Sequence, residues 1–131
     1  MEMITPPDPR LVLIADDDRE VLNALRFALE LEGYQVGAFA TGRALLEAAH
    51  GAHAACLVID QKLADTTGLE LIMRLRASGV ATPSVLITTN LPTHLRIRAT
   101  TLAIPIVEKP LLTDALFATI RELTGGPTLG G

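Results

Sequence analysis

The sequence of 131 residues predicts a doubly wound α/β domain, a five-stranded parallel sheet with helices on both faces. Three observations carry this expectation. Short apolar runs recur: Leu11–Ala15, Ala55–Ile59, Ser84–Ile87 and Ile104–Val107. Continuous rather than alternating apolarity reads as strands buried on both faces. Stretches with helical periodicity separate these runs, and each run ends on polar residues: Asp16 and Asp17, Asp60, Thr88, and Glu108 followed by Lys109.

Each element has its own signal. Met1 to Arg10 holds three prolines and no period, and reads as a tail. Leu11–Ala15 is the first strand. The helix after it runs from Arg19 to Glu32, with Val21, Leu22, Leu25, Ala28 and Leu29 at helical spacing, Asp18 as its N-cap and Gly33 as its C-terminal cap. Gln35–Phe39 alternates more, as a strand nearer the sheet edge does. Thr41 or Gly42 opens a helix that ends near His50. Ala54–Ile59 is the third strand, and Thr67 begins a helix with Leu69, Ile72, Met73 and Leu75 facing inward. Pro83–Ile87 is the fourth strand, Pro92–Thr101 a helix, Ile104–Val107 the fifth strand, and Leu111–Leu123 the last helix, burying Leu112, Leu116, Ile120 and Leu123. Gly125–Gly131 is a Gly/Pro-rich tail or the start of a linker.

Bulk properties exclude several classes. Hydrophobic residues at 49% give a globular composition, and a net charge of −4 gives no footprint for non-specific nucleic-acid binding. No apolar run approaches the ~18–20 residues of a membrane span, and no signal peptide opens the chain, so the reading is cytoplasmic. The single cysteine, Cys56, excludes an internal disulfide and reads as a small buried hydrophobe. His50, His53 and His94 lack ligand spacing and read as surface or loop residues.

Right-handed crossovers fit the flavodoxin-like (βα)5 order 2-1-3-4-5. Sequence alone leaves that order open, although polar ends on strands 1, 3, 4 and 5 and none on strand 2 favour it. Ligands of open parallel sheets bind beyond the carboxyl ends of the strands. Three carboxylates, a hydroxyl and an ammonium gathered there suit a hard divalent cation and a phosphoryl group. Singly, each residue has an ordinary reading. The three adjacent aspartates fit a solvated loop, Lys109 a surface lysine, and Thr88 a strand terminus. Asp60 is the exception, because a carboxylate ending a buried strand costs stability unless paired.

At these residues the chain resembles a response-regulator receiver domain of two-component signal transduction. The matching stretches are Val12–Asp18, Leu57–Leu63 with Gly68 following, Val85–Thr89, and Val107–Pro110, within a domain running from Leu11 to Thr124. The resemblance implies a phosphorelay module that is not an enzyme acting on other substrates and catalyses only its own phosphorylation and dephosphorylation. Asp60 would be the phosphoacceptor, served by a sensor histidine kinase or a small acyl phosphate. Mg²⁺ would be held by Asp16, Asp17, Asp60 and the backbone carbonyl of Lys62. Lys109 would supply positive charge to the phosphoryl group, and Thr88 a hydroxyl that engages it after transfer. Lys62 and Asn90 would flank the path of the hydrolytic water, giving slow to intermediate self-dephosphorylation.

The chain departs from the family in three places. Ile106 stands where an aromatic residue usually relays the signal, Ala64 where a proline is common, and Thr100–Ile104 where a small-residue turn is usual. Leu95, Ile97, Leu102, Ile104, Ile106, Leu111 and Leu112 crowd the fourth helix, fifth strand and fifth helix, and point to an output face for a partner or a second copy. Two rivals remain. A phosphatase of the haloacid-dehalogenase type would use Asp16 as nucleophile, but Glu20 and the absence of a late acidic pair count against it. A phosphorylation-independent pseudo-receiver would ordinarily have lost one of the five polar residues. The pattern also fits a receiver within a longer, DNA-binding regulator, although nothing in these residues reads DNA.

Overall fold

The computed structural model describes residues 8–109 and 115–126. Its elements alternate: β1 (Asp8–Ala15), α1 (Arg19–Leu31), β2 (Gln35–Phe39), α2 (Gly42–Gly51), β3 (Ala54–Asp60), α3 (Gly68–Ala77), β4 (Ser84–Thr88), α4 (Thr93–Thr101), β5 (Ile106–Glu108) and α5 (Ala115–Thr124). All strand pairs are parallel and the order is β2-β1-β3-β4-β5, as expected.

Burial on both faces explains the continuous apolar runs. Val12, Ile14, Cys56, Val58, Val85, Ile87 and Val107 point toward α1 and α5, meeting Leu22, Leu25, Leu29, Leu116 and Ile120. Their neighbours in the strands, Leu13, Ala15, Leu57, Ile59 and Leu86, point the other way onto Leu45, Leu69, Leu71, Ile72, Leu75 and Ala99 of α2, α3 and α4. The side-chain period of two places successive residues in different cores, so β3 stays apolar until Asp60. In β4 the one polar residue before Thr88 is Ser84, whose hydroxyl donates to Thr82 O at 3.2 Å. Cys56 is fully buried, and that burial pushes its thiol up to about 12. Leu71, not expected inside, is buried, while Met73 and Leu123 are only half-buried.

Local chemistry sets the helix ends. Asp18 Oδ1 accepts from the N–H groups of Glu20 and Val21 at 2.9 and 3.4 Å, and Thr67 Oγ1 from Glu70 N–H at 3.3 Å. Gly33 takes φ +99° and lets the Tyr34 N–H return to Leu29 O at 3.1 Å.

Two strand boundaries differ from the expectation. β1 begins at Asp8, inside the expected tail, because the Asp8 N–H donates to His53 O at 2.7 Å. A register irregularity then carries the chain past Pro9, which has no N–H to give. β5 begins at Ile106 and not at Ile104. After α4, Ala103 adopts φ +57° and the buried Ile104 returns its N–H to Ala99 O at 2.9 Å, so Ile104 closes the helix, and Pro105 cannot donate to the ladder. Met1–Pro7, Leu111, Leu112 and the end of the Gly/Pro-rich tail lie outside the described residues. Among the described residues no helix is long and apolar enough to cross a membrane.

Gly68 has a steric reason. It opens α3 against the end of β3, where an added Cβ would lie 2.5 Å from Asp60 O and 2.7 Å from Leu86 Cδ1. The backbone oxygen cannot yield. Gly68→Ala should therefore lower stability to urea unfolding by about 1–3 kcal/mol. Gly51→Ala, whose Cβ meets nothing within 4 Å, should leave it unchanged or slightly raised.

Candidate functional site

Register aligns the strand ends. Ala15 pairs with Ile59, Asp60 with Ile87, and Thr88 with Glu108, so Asp16, Asp60, Thr88 and Lys109 emerge at one edge of the sheet. The Lys109 N–H donates to Thr88 O at 2.7 Å, and its ammonium reaches back between the acids. Lys109 Nζ lies 3.0 Å from Asp16 Oδ2 and 3.1 Å from Asp60 Oδ2. Asp16 is fully buried and Asp60 is 3% exposed. Asp16 Oδ1 also accepts the Asp18 N–H at 2.9 Å, which folds the acidic loop over the strand end.

Electrostatics follow from this burial. Asp60 is pushed up from 3.8 to about 6, first by desolvation and then by the Asp16 charge, with Lys109 opposing both. Burial lowers Lys109, but its hydrogen bonds to Asp16 and Asp60 outweigh that and hold the ammonium above its ordinary range. Carboxylate oxygens of Asp16, Asp17 and the buried Asp60 lie within 4.8 Å of one another, with Asp17 exposed. These are hard oxygen donors at a separation one divalent cation can span.

A cavity of about 330 Å³ opens over these groups. Asp17, Asp60, Lys62, Thr88, Asn90 and Lys109 are among its lining residues, and Asp16 is not. The structure thus brings the sequence-predicted residues together while sorting them: Asp60 lines the cavity and the fully buried Asp16 does not. Asn90 holds φ +62°, which turns the chain from Thr88 toward Leu91, buried beneath the cavity, and into α4.

Sequence reasoning missed two residues that shape the loop after Asp60. Gln61 caps α3, its Oε1 accepting the Leu69 N–H at 2.9 Å while its carbonyl accepts the Gly68 N–H at 3.0 Å. Asp65 accepts from the Gly42 and Arg43 N–H groups of α2 at 2.8 and 3.0 Å. Neither has a local signal, because the partners come from distant or helix-terminal backbone. Also unforeseen is an apolar groove of about 620 Å³ between α1 and α5, lined by Val21, Ala24, Leu25, Ala28 and Phe117 and reaching Thr89 and Lys109. The histidines are exposed, and His50 bridges Leu46 O and Ser78 Oγ at 2.8 and 2.9 Å.

The crowded apolar stretch is divided. Ile97 is 62% exposed, Ile104 is buried, and Leu95, Leu102 and Ile106 are half-buried against the core. Arg96 pairs with Glu108 at 2.5 Å, joining α4 to β5.

A model of the response regulator receiver domain matches residues 12–121. The transcriptional regulatory protein FixJ of Bradyrhizobium diazoefficiens is 31% identical over 112 residues, covering 85% of this chain and 55% of that protein. The transcriptional regulatory protein TrcR of Mycobacterium tuberculosis is 31% identical over 116 residues, covering 88% of this chain and 45% of that protein. The chain thus spans about half the length of the curated relatives it matches. The Francisella response regulator 1452 receiver domain superposes with a TM-score of 0.82 at 22% identity, covering 88% of this chain and 97% of that one, a likeness of fold.

The raised Asp60 has a cost with a definite sign. Folded, Asp60 keeps its proton up to about pH 6, against 3.8 as its ordinary value. Stability therefore falls as pH rises through that window, and the cost is complete above it. Without divalent cation, Asp60→Asn should be about 2 kcal/mol more stable than wild type at pH 8 by urea unfolding, with the gap closing near pH 4. Equal stability at pH 8 would mean that Lys109 offsets the burial in full.

Proposed function

The chain belongs to the response regulator receiver domain family and is a receiver module of two-component signalling, and on that premise we propose that Asp60 is its phosphoacceptor. The observation that carries this reading is the sorting at the strand ends: Asp60, and not Asp16, shares the cavity with Lys109 and Thr88. The same observation disfavours a phosphatase that uses Asp16 as nucleophile. All five polar residues meet in one place, which disfavours a pseudo-receiver.

A carboxylate oxygen of Asp60 attacks the phosphorus of a phosphohistidine on a sensor histidine kinase, or of a small acyl phosphate. The new P–O bond forms as the P–N bond breaks and the electron pair leaves with the imidazole nitrogen. From an acyl phosphate, the P–O bond to the acyl group breaks instead and the pair leaves with the carboxylate. An Asp carboxylate is a weak nucleophile, so the work is alignment and charge neutralisation. Lys109, already beside Asp60, offers a compact positive charge to the incoming phosphoryl oxygens. The carboxylates of Asp16, Asp17 and Asp60 fit Mg²⁺, the Lys62 carbonyl would be a further donor, and the bound ion would supply further neutralisation of phosphoryl charge. Lys62 and Asn90, both lining the cavity, shape access for the water that later hydrolyses the acyl phosphate.

Output follows from Thr88. Its hydroxyl engages a phosphoryl oxygen only after transfer and draws on the loop that Asn90 turns into α4. The face of α4, β5 and α5 then changes for a partner or a second copy of the chain. Ile106 has no hydroxyl and no ring to swing, so it acts by packing against its neighbours in the core. As a receiver module of two-component signalling it is expected to act in the cytoplasm.

With Mg²⁺ and acetyl phosphate, the wild type should gain one phosphoryl group by intact mass, and Asp60→Asn should gain none. Uptake by Asp60→Asn with loss in Asp16→Asn would transfer the reading to a phosphatase. Ile106→Tyr should keep phosphoryl uptake and change the phosphorylation-dependent shift in self-association measured by sedimentation. Phosphorylated wild type that neither self-associates nor changes its affinity for a kinase would remove this face as the output.

A further inference from the structure

We propose that Asp65 is a positioning residue for the phosphoacceptor site, clamping the loop after Asp60 to the N-terminus of α2. Lys62 is then held at the cavity by a helix that contributes no side chain to it. This rests on the reading of Asp60 given above.

Accounting for the first N–H groups of α2 carries the inference. A helix leaves its first four N–H groups without intrahelical partners. Thr41, the N-cap, takes the Ala44 N–H on its hydroxyl at 3.1 Å, while the Leu45 N–H makes the first intrahelical bond, to the Thr41 carbonyl at 3.3 Å. The Gly42 and Arg43 N–H groups remain, and both point at Asp65, whose two oxygens accept one each at 2.8 and 3.0 Å. A carboxylate also suits the positive end of the helix dipole. These two hydrogen bonds hold the Asp65 carboxyl below its ordinary range, so the clamp is charged at neutral pH.

Shape supplies a second, independent observation. Gly42 is buried, and a Cβ there would lie 2.6 Å from Thr66 Cγ2, so α2 and the loop meet with no room for a side chain. Elsewhere the loop is fixed by the Lys62–Thr67 bridge and by burial of Leu63. Ala64, immediately before the clamp, leaves φ free where a proline would fix it. The clamp supplies the missing constraint from outside the loop.

The test uses the full chain. Mg²⁺ affinity is measured by calorimetry, phosphoryl uptake from acetyl phosphate by intact mass, and folding by circular dichroism. Asp65→Ala should weaken Mg²⁺ binding about tenfold, the low end for residues that orient metal ligands. Its uptake rate should fall at low Mg²⁺ and recover at saturating Mg²⁺. Gly42→Ala, which keeps the charge and pushes the loop away, should weaken Mg²⁺ as well. Asp65→Asn, which keeps one acceptor, should fall between wild type and Asp65→Ala. A lower melting temperature with wild-type Mg²⁺ affinity in folded Asp65→Ala would reduce Asp65 to a helix cap and overturn the proposal. Equal weakening in both Asp65 variants with none in Gly42→Ala would assign the effect to charge through space and also overturn it. Wild type that binds Mg²⁺ but takes up no phosphoryl group would overturn the Asp60 reading alone, because the calorimetry does not depend on transfer.

Discussion

One ammonium placed between two buried carboxylates organises this domain. Asp16 and Asp60 end adjacent strands and lie almost out of water, and their charges repel. Lys109 makes that arrangement tolerable from two strands away, its backbone tied to Thr88 and its side chain spanning the end of β4. Removing Lys109 would be costly, because two mutually repelling buried carboxylates would be left without a counter-charge. Register is the hidden requirement. A slip of one residue in β3 would turn Asp60 into one core and expose Ile59 at the site. Apolar residues on both faces would tolerate that slip, so the polar strand ends are what penalise it, and the greasy interior and the charged edge are parts of one device.

The same reasoning explains what was legible in the residues. Strands buried on both faces announce themselves as uninterrupted apolar runs, and their ends as the first polar residue. That is why Asp16, Asp60 and Thr88 stand out in the residues, whereas Lys109 lies one place beyond Glu108 and is marked by the family stretch Val107–Pro110. Caps are equally local: Asp18, Thr41 and Thr67 each bond within three residues. Strand order depended partly on the family resemblance, because periodicity says nothing about which strands neighbour. The boundary errors had backbone causes. Pro9 hid the start of β1 and the left-handed Ala103 displaced β5, and neither shows in hydrophobic patterning. Asp65 and Gln61 were illegible for a different reason: a side chain bonding to backbone amides elsewhere leaves no mark on its own neighbours.

Departures from the family pattern also acquire physical content. Ala64 and Ile106 both remove a device that relatives commonly use, a rigid ring in one place and a swinging ring in the other. At the first, the loop is held instead by hydrogen bonds to α2. At the second, a branched aliphatic chain sits half in the core, beside the Arg96–Glu108 pair that links helix and strand. Rearrangement here is a matter of volume and of one ion pair, and an exposed pair of this kind carries little energy.

α4 shows how unevenly the domain is held together. Only Ala99 is fully buried in it, no side chain caps its start, and non-glycine residues in the left-handed region bracket it at Asn90 and Ala103. Thr100 and Thr101 return their hydroxyls to carbonyls four residues back, a bond that competes with the helix. Stability in a protein is distributed in local units, and those with little buried surface open at the lowest free energy. By that measure α4 is a loosely sprung hatch on a rigid frame. A small displacement at the cavity meets its least resistance there, and the sheet can stay still while its cover moves.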